Sequence, residues 1–182
     1  KILNLFSYGG KGMNNNGFSL VELMIVIVIS ALLVGGTAIS IRILTYADVE
    51  KCAEETDSAL SKLRIDAMSK GSLHYYLLIQ KDASDESYYM SVATSKVAIT
   101  DLNGADTKIS LRKKIGSSKI TITYDKSDGT GMVTLGETNP LMISYISNSG
   151  AYESSYKQIL MKSDSKTITI NMVTKTGKHY IE

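Results

Sequence analysis

Between Phe18 and Ile41 the chain carries 24 residues of which only Glu22 is charged, and Arg42 closes the run. A helix of that length spans roughly 36 Å, enough to cross a hydrocarbon core of about 30 Å. Beyond Tyr46 the pattern becomes one-sided. Val49, Cys52/Ala53, Thr56, Leu60, Leu63 and Ala67 recur in steps of three and four, while Glu50, Lys51, Glu54, Glu55, Asp57, Ser58 and Lys62 fill the other side. That spacing predicts an amphipathic helix continuing the apolar one. Lys70-Gly71 is its expected stop, with a cation in the last turn and glycine just past it.

After Gly71 the period falls to two. Leu73–Gln80, Tyr88–Thr94, Ile109–Leu111, Lys119–Tyr124, Met132–Leu135, Leu141–Ile146, Gln158–Lys162, Thr167–Val173 and Lys178–Ile181 read as strands. Turn-rich pieces separate them: Asp82–Asp85, Asn103-Gly104, Asp125–Gly131, Asn148-Ser149-Gly150 and Lys175-Thr176-Gly177. The gaps leave little room for crossover helices, so the strands should form an antiparallel sheet with one face on the amphipathic half-helix. The predicted class is α+β, a long N-terminal α-helix packed on an antiparallel β-sheet. The expected organisation is a leader over 1–17, an apolar half-helix over 18–42 and a globular domain over 43–182.

Charge sharpens the division. Two of the 20 basic residues, Lys1 and Lys11, precede Phe18, and no acidic residue does. From Phe18 onward 18 basic residues face 18 acidic ones, which argues against bulk electrostatic binding of nucleic acid. The basic leader suits the cytoplasmic side of a membrane. An initiation at Met13 would give a very short leader ending at Gly17. Cys52 is the single cysteine, so no disulfide can form within the chain. Low proline, no tryptophan and many Lys, Ile and Ser suggest an AT-rich, Gram-positive bacterial source.

Glu22 is the most informative side chain. An ionisable group in a membrane-spanning segment costs about 2.5–3.5 kcal/mol at central positions, less near an end, and needs a partner. A cut after Gly17 would create one, because the new α-amino group of Phe18 lies one helical turn away. The stretch Gly17-Phe18-Ser19-Leu20-Val21-Glu22-Leu23-Met24 and the apolar run after it resemble the class III signal of type IV pilins and pseudopilins. The resemblance implies cleavage between Gly17 and Phe18 by a prepilin peptidase, N-methylation at Phe18, and assembly through Glu22, the fifth mature residue. Implied partners are other pilin subunits, the peptidase, the inner-membrane assembly platform and, before assembly, membrane lipid. The implied location is the cytoplasmic membrane as a single-pass precursor, then an extracellular pilus or pseudopilus. The last hairpin loosely resembles that of minor pseudopilins, which favours a minor subunit. Where many type IVa pilins have a proline, this chain has Ile39, and Gly35-Gly36 lies nearby. Glycine weakens a helix interior by about 1 kcal/mol relative to alanine, so this pair is read as a bend or melting point in the fibre, or as a site of close helix packing.

Other chemistry is sparse. His74, His179 and Cys52 are too few for a Cys/His zinc cluster, no nucleophile motif surrounds Ser, Cys or His, and no cofactor is read from the sequence. Asp125-Lys126-Ser127-Asp128-Gly129 lacks the full calcium-loop pattern and reads as a hairpin turn. In the adjacent pairs Tyr75-Tyr76 and Tyr88-Tyr89, one ring of each should face outward. Arg112, Lys113, Lys114 and Lys119 form a basic cluster, read as a solvated loop or as a nucleic-acid contact. The function expected is therefore structural, with no enzyme. The alternatives are a competence-type pseudopilin assisting DNA uptake and a membrane-tethered adhesin or enzyme that never polymerises.

Overall fold

The computed structural model describes residues 18–69, 73–96, 107–110, 112–147, 149–164 and 166–182, with the side chains of residues 36–43 outside that description. The leader, the Lys70-Gly71 stop and the Asn103-Gly104 turn lie outside the described residues. Among the described residues one helix, α1 (Leu20–Ser69), precedes ten strands. The chain falls into two compact units, Lys1–Ile39 and Ser40–Glu182. In the first, the described apolar side chains are exposed, from Phe18 at 79 % to Val34 at 70 %.

In the second unit the helical stripe is buried as its spacing predicts. Val49, Cys52, Ala53, Thr56, Leu60, Leu63 and Ala67 all lie inside. Each large apolar member contributes about 1.5–3 kcal/mol relative to an exposed position. Thr56 fits an apolar stripe because its hydroxyl donates to the Cys52 carbonyl at 2.8 Å, one turn back. Burial, followed by the nearby Glu55 and Asp48 charges, pushes the Cys52 thiol up to about 12. It stays protonated and behaves as a small hydrophobe.

Where one sheet was expected, the described residues form two, both antiparallel and each of five strands. In the first, β1 (His74–Lys81) lies between β2 (Tyr88–Ser95) and β7 (Leu141–Ser144). The far side of β2 is shared by β3 (Lys108–Ile109) and β4 (Lys113–Gly116), with a register shift between Tyr88 and Tyr89. The second sheet runs β10 (Lys178–Ile181), β9 (Thr167–Val173), β8 (Tyr156–Lys162), β5 (Thr121–Lys126), β6 (Gly131–Thr134). A single core joins the helical stripe to Tyr75, Leu77 and Ile79 of β1 and to Ile122, Ile159, Met161 and Ile170 of the second sheet. The Tyr75-Tyr76 expectation fails. Tyr75 enters that core, and Tyr76 is also buried, on the other face of β1 with Leu78, Ala93 and Met142. Tyr88 is buried and Tyr89 half-buried, as alternation requires.

Two turns meet against α1. Gly177, after β9, has φ +64, and a Cβ there would run into the Gly150 carbonyl oxygen. Gly150 has φ +63, but its Cβ would meet the far end of the Met68 side chain at 2.6 Å. Gly177→Ala therefore pays a left-handed penalty of about 1–2 kcal/mol plus backbone displacement of similar size, a total loss of about 2–5 kcal/mol. Gly150→Ala loses less, because Met68 can swing away. Urea unfolding midpoints of the two variants check the order. Equal losses would mean that the turn–turn contact is not the constraint.

Candidate functional site

The N-terminal segment is built from its first turn. Ser19 precedes the helix, and its carbonyl accepts the Leu23 N–H at 3.1 Å. Ser19-Leu20-Val21-Glu22 has the spacing of a capping box, a signal not used in reading the sequence. Glu22 is the acidic residue of the first turn. A carboxylate there is favoured by the helix dipole by about 0.3–1 kcal/mol. A protonated α-amine at Phe18 would face the same dipole unfavourably, so a neighbouring carboxylate has two reasons to be at this position. Gly17 lies outside the described residues. The backbone is helical through Gly35-Gly36, a Cβ at Gly35 would meet nothing within 4 Å, and the surroundings of Gly36 lie outside the described side chains. Among the described residues no helix is long and apolar enough to cross a membrane, so the expected single-pass span has no support there. Its second half, residues 36–41, falls where side chains are not described.

His179 has a role the sequence did not suggest. Its side chain is only 6 % exposed. Nδ1 lies 3.1 Å from the Tyr152 hydroxyl, and Nε2 lies 3.2 Å from the Asp57 carbonyl, 3.2 Å from Ser61 Oγ and 3.3 Å from Asp57 Oδ1. A carbonyl only accepts, so Nε2 carries a proton and donates. Serine and carboxylate thus share one nitrogen. A Ser-His-Asp relay needs them on opposite nitrogens, and this is not one. Arg64 adds two bonds, Nε to the Gly150 carbonyl at 3.2 Å and a terminal nitrogen to the Thr176 carbonyl at 2.9 Å. The group is a polar clasp that ties the β9–β10 hairpin and the Gly150 turn to α1. His74, by contrast, stacks on Tyr76 with ring centroids 6.4 Å apart.

The basic cluster is part strand and part turn, with Lys119 in the turn before β5. Arg112 precedes β4 and Lys113 and Lys114 belong to it, each opposed by a carboxylate: Asp82 at 2.9 Å, Glu55 at 3.2 Å and Asp85 at 3.2 Å. Arg112 also lies 4.5 Å above the Tyr89 ring. Three of the four cations named for nucleic acid are therefore engaged within the chain. Hydrogen bonds from the Ser84 hydroxyl and N–H, with Arg112, hold Asp82 below its ordinary 3.8. Asp85 is lowered further by the Ser87 N–H, Lys114 and the Tyr89 hydroxyl. Depressed folded-state values mean that the unfolded chain takes up protons first. The contribution is full above about pH 4 and drains away as pH falls through the folded values. Urea midpoints should drop between pH 7 and pH 3, and drop less in Asp85→Asn. An equal drop in the variant would clear Asp85 of the effect. Asp125–Gly131 is the β5–β6 hairpin, where Asp128 accepts from the Thr130 N–H at 3.0 Å and hydroxyl at 2.6 Å. Among the described residues no group of three or more His, Cys, Asp or Glu could hold a metal ion.

Residues 12–38 match the model of the prokaryotic N-terminal methylation motif. No curated protein and no solved structure matches the chain. The matched segment contains Gly17, Phe18, Glu22 and Gly35-Gly36, and the motif points to a structural subunit with pilin subunits and a prepilin peptidase as its general partners. That motif, at the head of an α+β chain whose helix packs on antiparallel sheets, supports a type IV pilin-like or pseudopilin-like protein.

Proposed function

We propose that the chain is a filament subunit, cut after Gly17, methylated at Phe18 and polymerised through the front half of α1. The observation that carries this reading is the exposure of the described apolar side chains from Phe18 to Val34, with Glu22 in the first helical turn. An isolated aqueous helix cannot keep such a surface. Lipid covers it before assembly, and neighbouring helices cover it afterwards. The described apolar stretch from Leu20 to Gly35 spans about 24 Å, so crossing a core of about 30 Å also uses residues 36–41, whose sequence stays uncharged. In the filament the Glu22 carboxylate pairs with the Phe18 amine of a neighbour. A mis-seated helix leaves both charges unpaired in an apolar core, so the pair selects axial register.

Mass spectrometry of the mature N-terminus tests this directly. The expected species begins at N-methylated Phe18 and occurs in a sheared surface fraction. Chain that keeps residues 1–17 and enters no polymer would overturn the reading. The engaged state of Arg112, Lys113 and Lys114 gives the DNA-uptake alternative no local support.

A further inference from the structure

The stretch by which α1 enters the second unit is a poor helix former. From Thr37 to Thr45 every second residue is β-branched: Thr37, Ile39, Ile41, Ile43 and Thr45. Such side chains lose rotamer freedom in a helix and weaken it. Packing compensates only in part. Thr45 and Val49 are buried, but Leu44 is 65 % and Tyr46 44 % exposed. The stripe that seats α1 on the sheets therefore runs out at Thr45, where the helix needs another hold.

Lys166 provides one. Tyr46 and Glu50 lie one turn apart on the same helix face. The Lys166 ammonium reaches both, 3.8 Å above the Tyr46 ring and 3.5 Å from Glu50 Oε1. Its side chain is only 21 % exposed. The lysine is presented from a fixed turn at the tip of the β8–β9 hairpin. The Ser163 N–H donates to the Lys166 carbonyl at 2.8 Å, and the Lys166 N–H donates to Ser163 Oγ at 3.3 Å. Thr167, the next residue, pairs with Lys162 in the ladder. Among the described residues the next ion pair along α1 is that of Glu55 with Lys113, more than a turn further on.

Resting on the filament reading, we propose that Lys166 is a positioning residue for assembly: it pins the root of the front half of α1, at Tyr46 and Glu50, to the β8–β9 hairpin and so fixes where that arm leaves the domain. With the contact closed, a pull on the arm reaches the second sheet through Lys166. With it open, the weak stretch ahead of Val49 frays and the arm gains an unanchored turn. A neighbouring subunit then meets an arm whose root is not held in one place, and the entropy of ordering it opposes incorporation.

Hydrogen exchange of the full chain in detergent micelles, read by mass spectrometry, tests the joint. In Lys166→Ala the amides of residues 44–50 should exchange about tenfold faster, while those of residues 56–67 keep the parent rate. Tyr46→Leu should raise exchange over 44–50 as well, and the double variant should exceed Lys166→Ala by little. Lys166→Arg should restore the parent rates, because a guanidinium also stacks on a ring and pairs with a carboxylate. Parent rates over 44–50 in Lys166→Ala overturn the joint. So does an equal rise over 44–50 and 56–67, which is general loosening. In cells that express the prepilin peptidase and assemble the chain, Lys166→Ala should carry methylated Phe18 like the parent. It should nevertheless fall several-fold in the sheared surface fraction, with Lys166→Arg normal. Normal incorporation of Lys166→Ala overturns the positioning role. If the unaltered chain forms no polymer, the filament reading fails and that role falls with it, while exchange over 44–50 still decides whether Lys166 holds the helix.

Discussion

Glu22→Ala should enter the membrane and be cut and methylated at Phe18 like the parent, yet nearly vanish from the sheared surface fraction. Removing one member of a buried charge pair costs about 3–5 kcal/mol, because the other charge is left in an apolar core. At 1.4 kcal/mol per factor of ten, incorporation should fall by more than about a hundredfold. The comparison is the ratio of polymerised to membrane-held chain, with mass spectrometry confirming methylation in both pools. Glu22→Gln keeps the shape and removes the charge, so it should fail almost as badly. Normal incorporation of either variant would end the register role. Loss of processing instead would move Glu22 to recognition by the peptidase.

Gly17→Leu should act one step earlier. A peptidase must reach the scissile backbone, and a branched side chain beside it obstructs the approach. The expected product keeps residues 1–17 and migrates as a heavier band, with no methylated Phe18. It also tests the pairing, because an uncut chain has no α-amine at Phe18 for a neighbour's Glu22 to meet. Assembly by Gly17→Leu should then be as poor as by Glu22→Ala, and the double variant no worse than either, the non-additivity expected of groups acting as one unit. Efficient cleavage of Gly17→Leu would remove the steric argument.

The parts of the fold that were legible in the sequence are those with local causes. Val49 to Ala67 repeat at the helical period, and every member is buried. Strands β9 and β10 were read with their observed limits because Thr176-Gly177 marks the turn between clean alternations. Strand β4 was missed because Lys113 and Lys114 look like a charged loop. They are tolerated at a sheet edge since Glu55 and Asp85 oppose them, and those carboxylates are distant in sequence. The division into two sheets was illegible for a related reason. Alternation tells which side of a strand is covered, not which other strand it joins, and Tyr76 shows that both sides of β1 are covered. The signal segment was readable because its chemistry is contiguous. The His179 clasp was not, since Ser61 and His179 are 118 positions apart and nothing local marks either.

That clasp sets how the domain answers mechanical load. With Cys52 as its single cysteine, nothing covalent locks β10 in place. The strand is fastened by the β9 ladder, His179 and the neighbouring reach of Arg64, all of which break and re-form without an oxidant. Tension applied at Glu182 would peel β10 away first, and relaxation would let it settle back, equally well in reducing and oxidising surroundings.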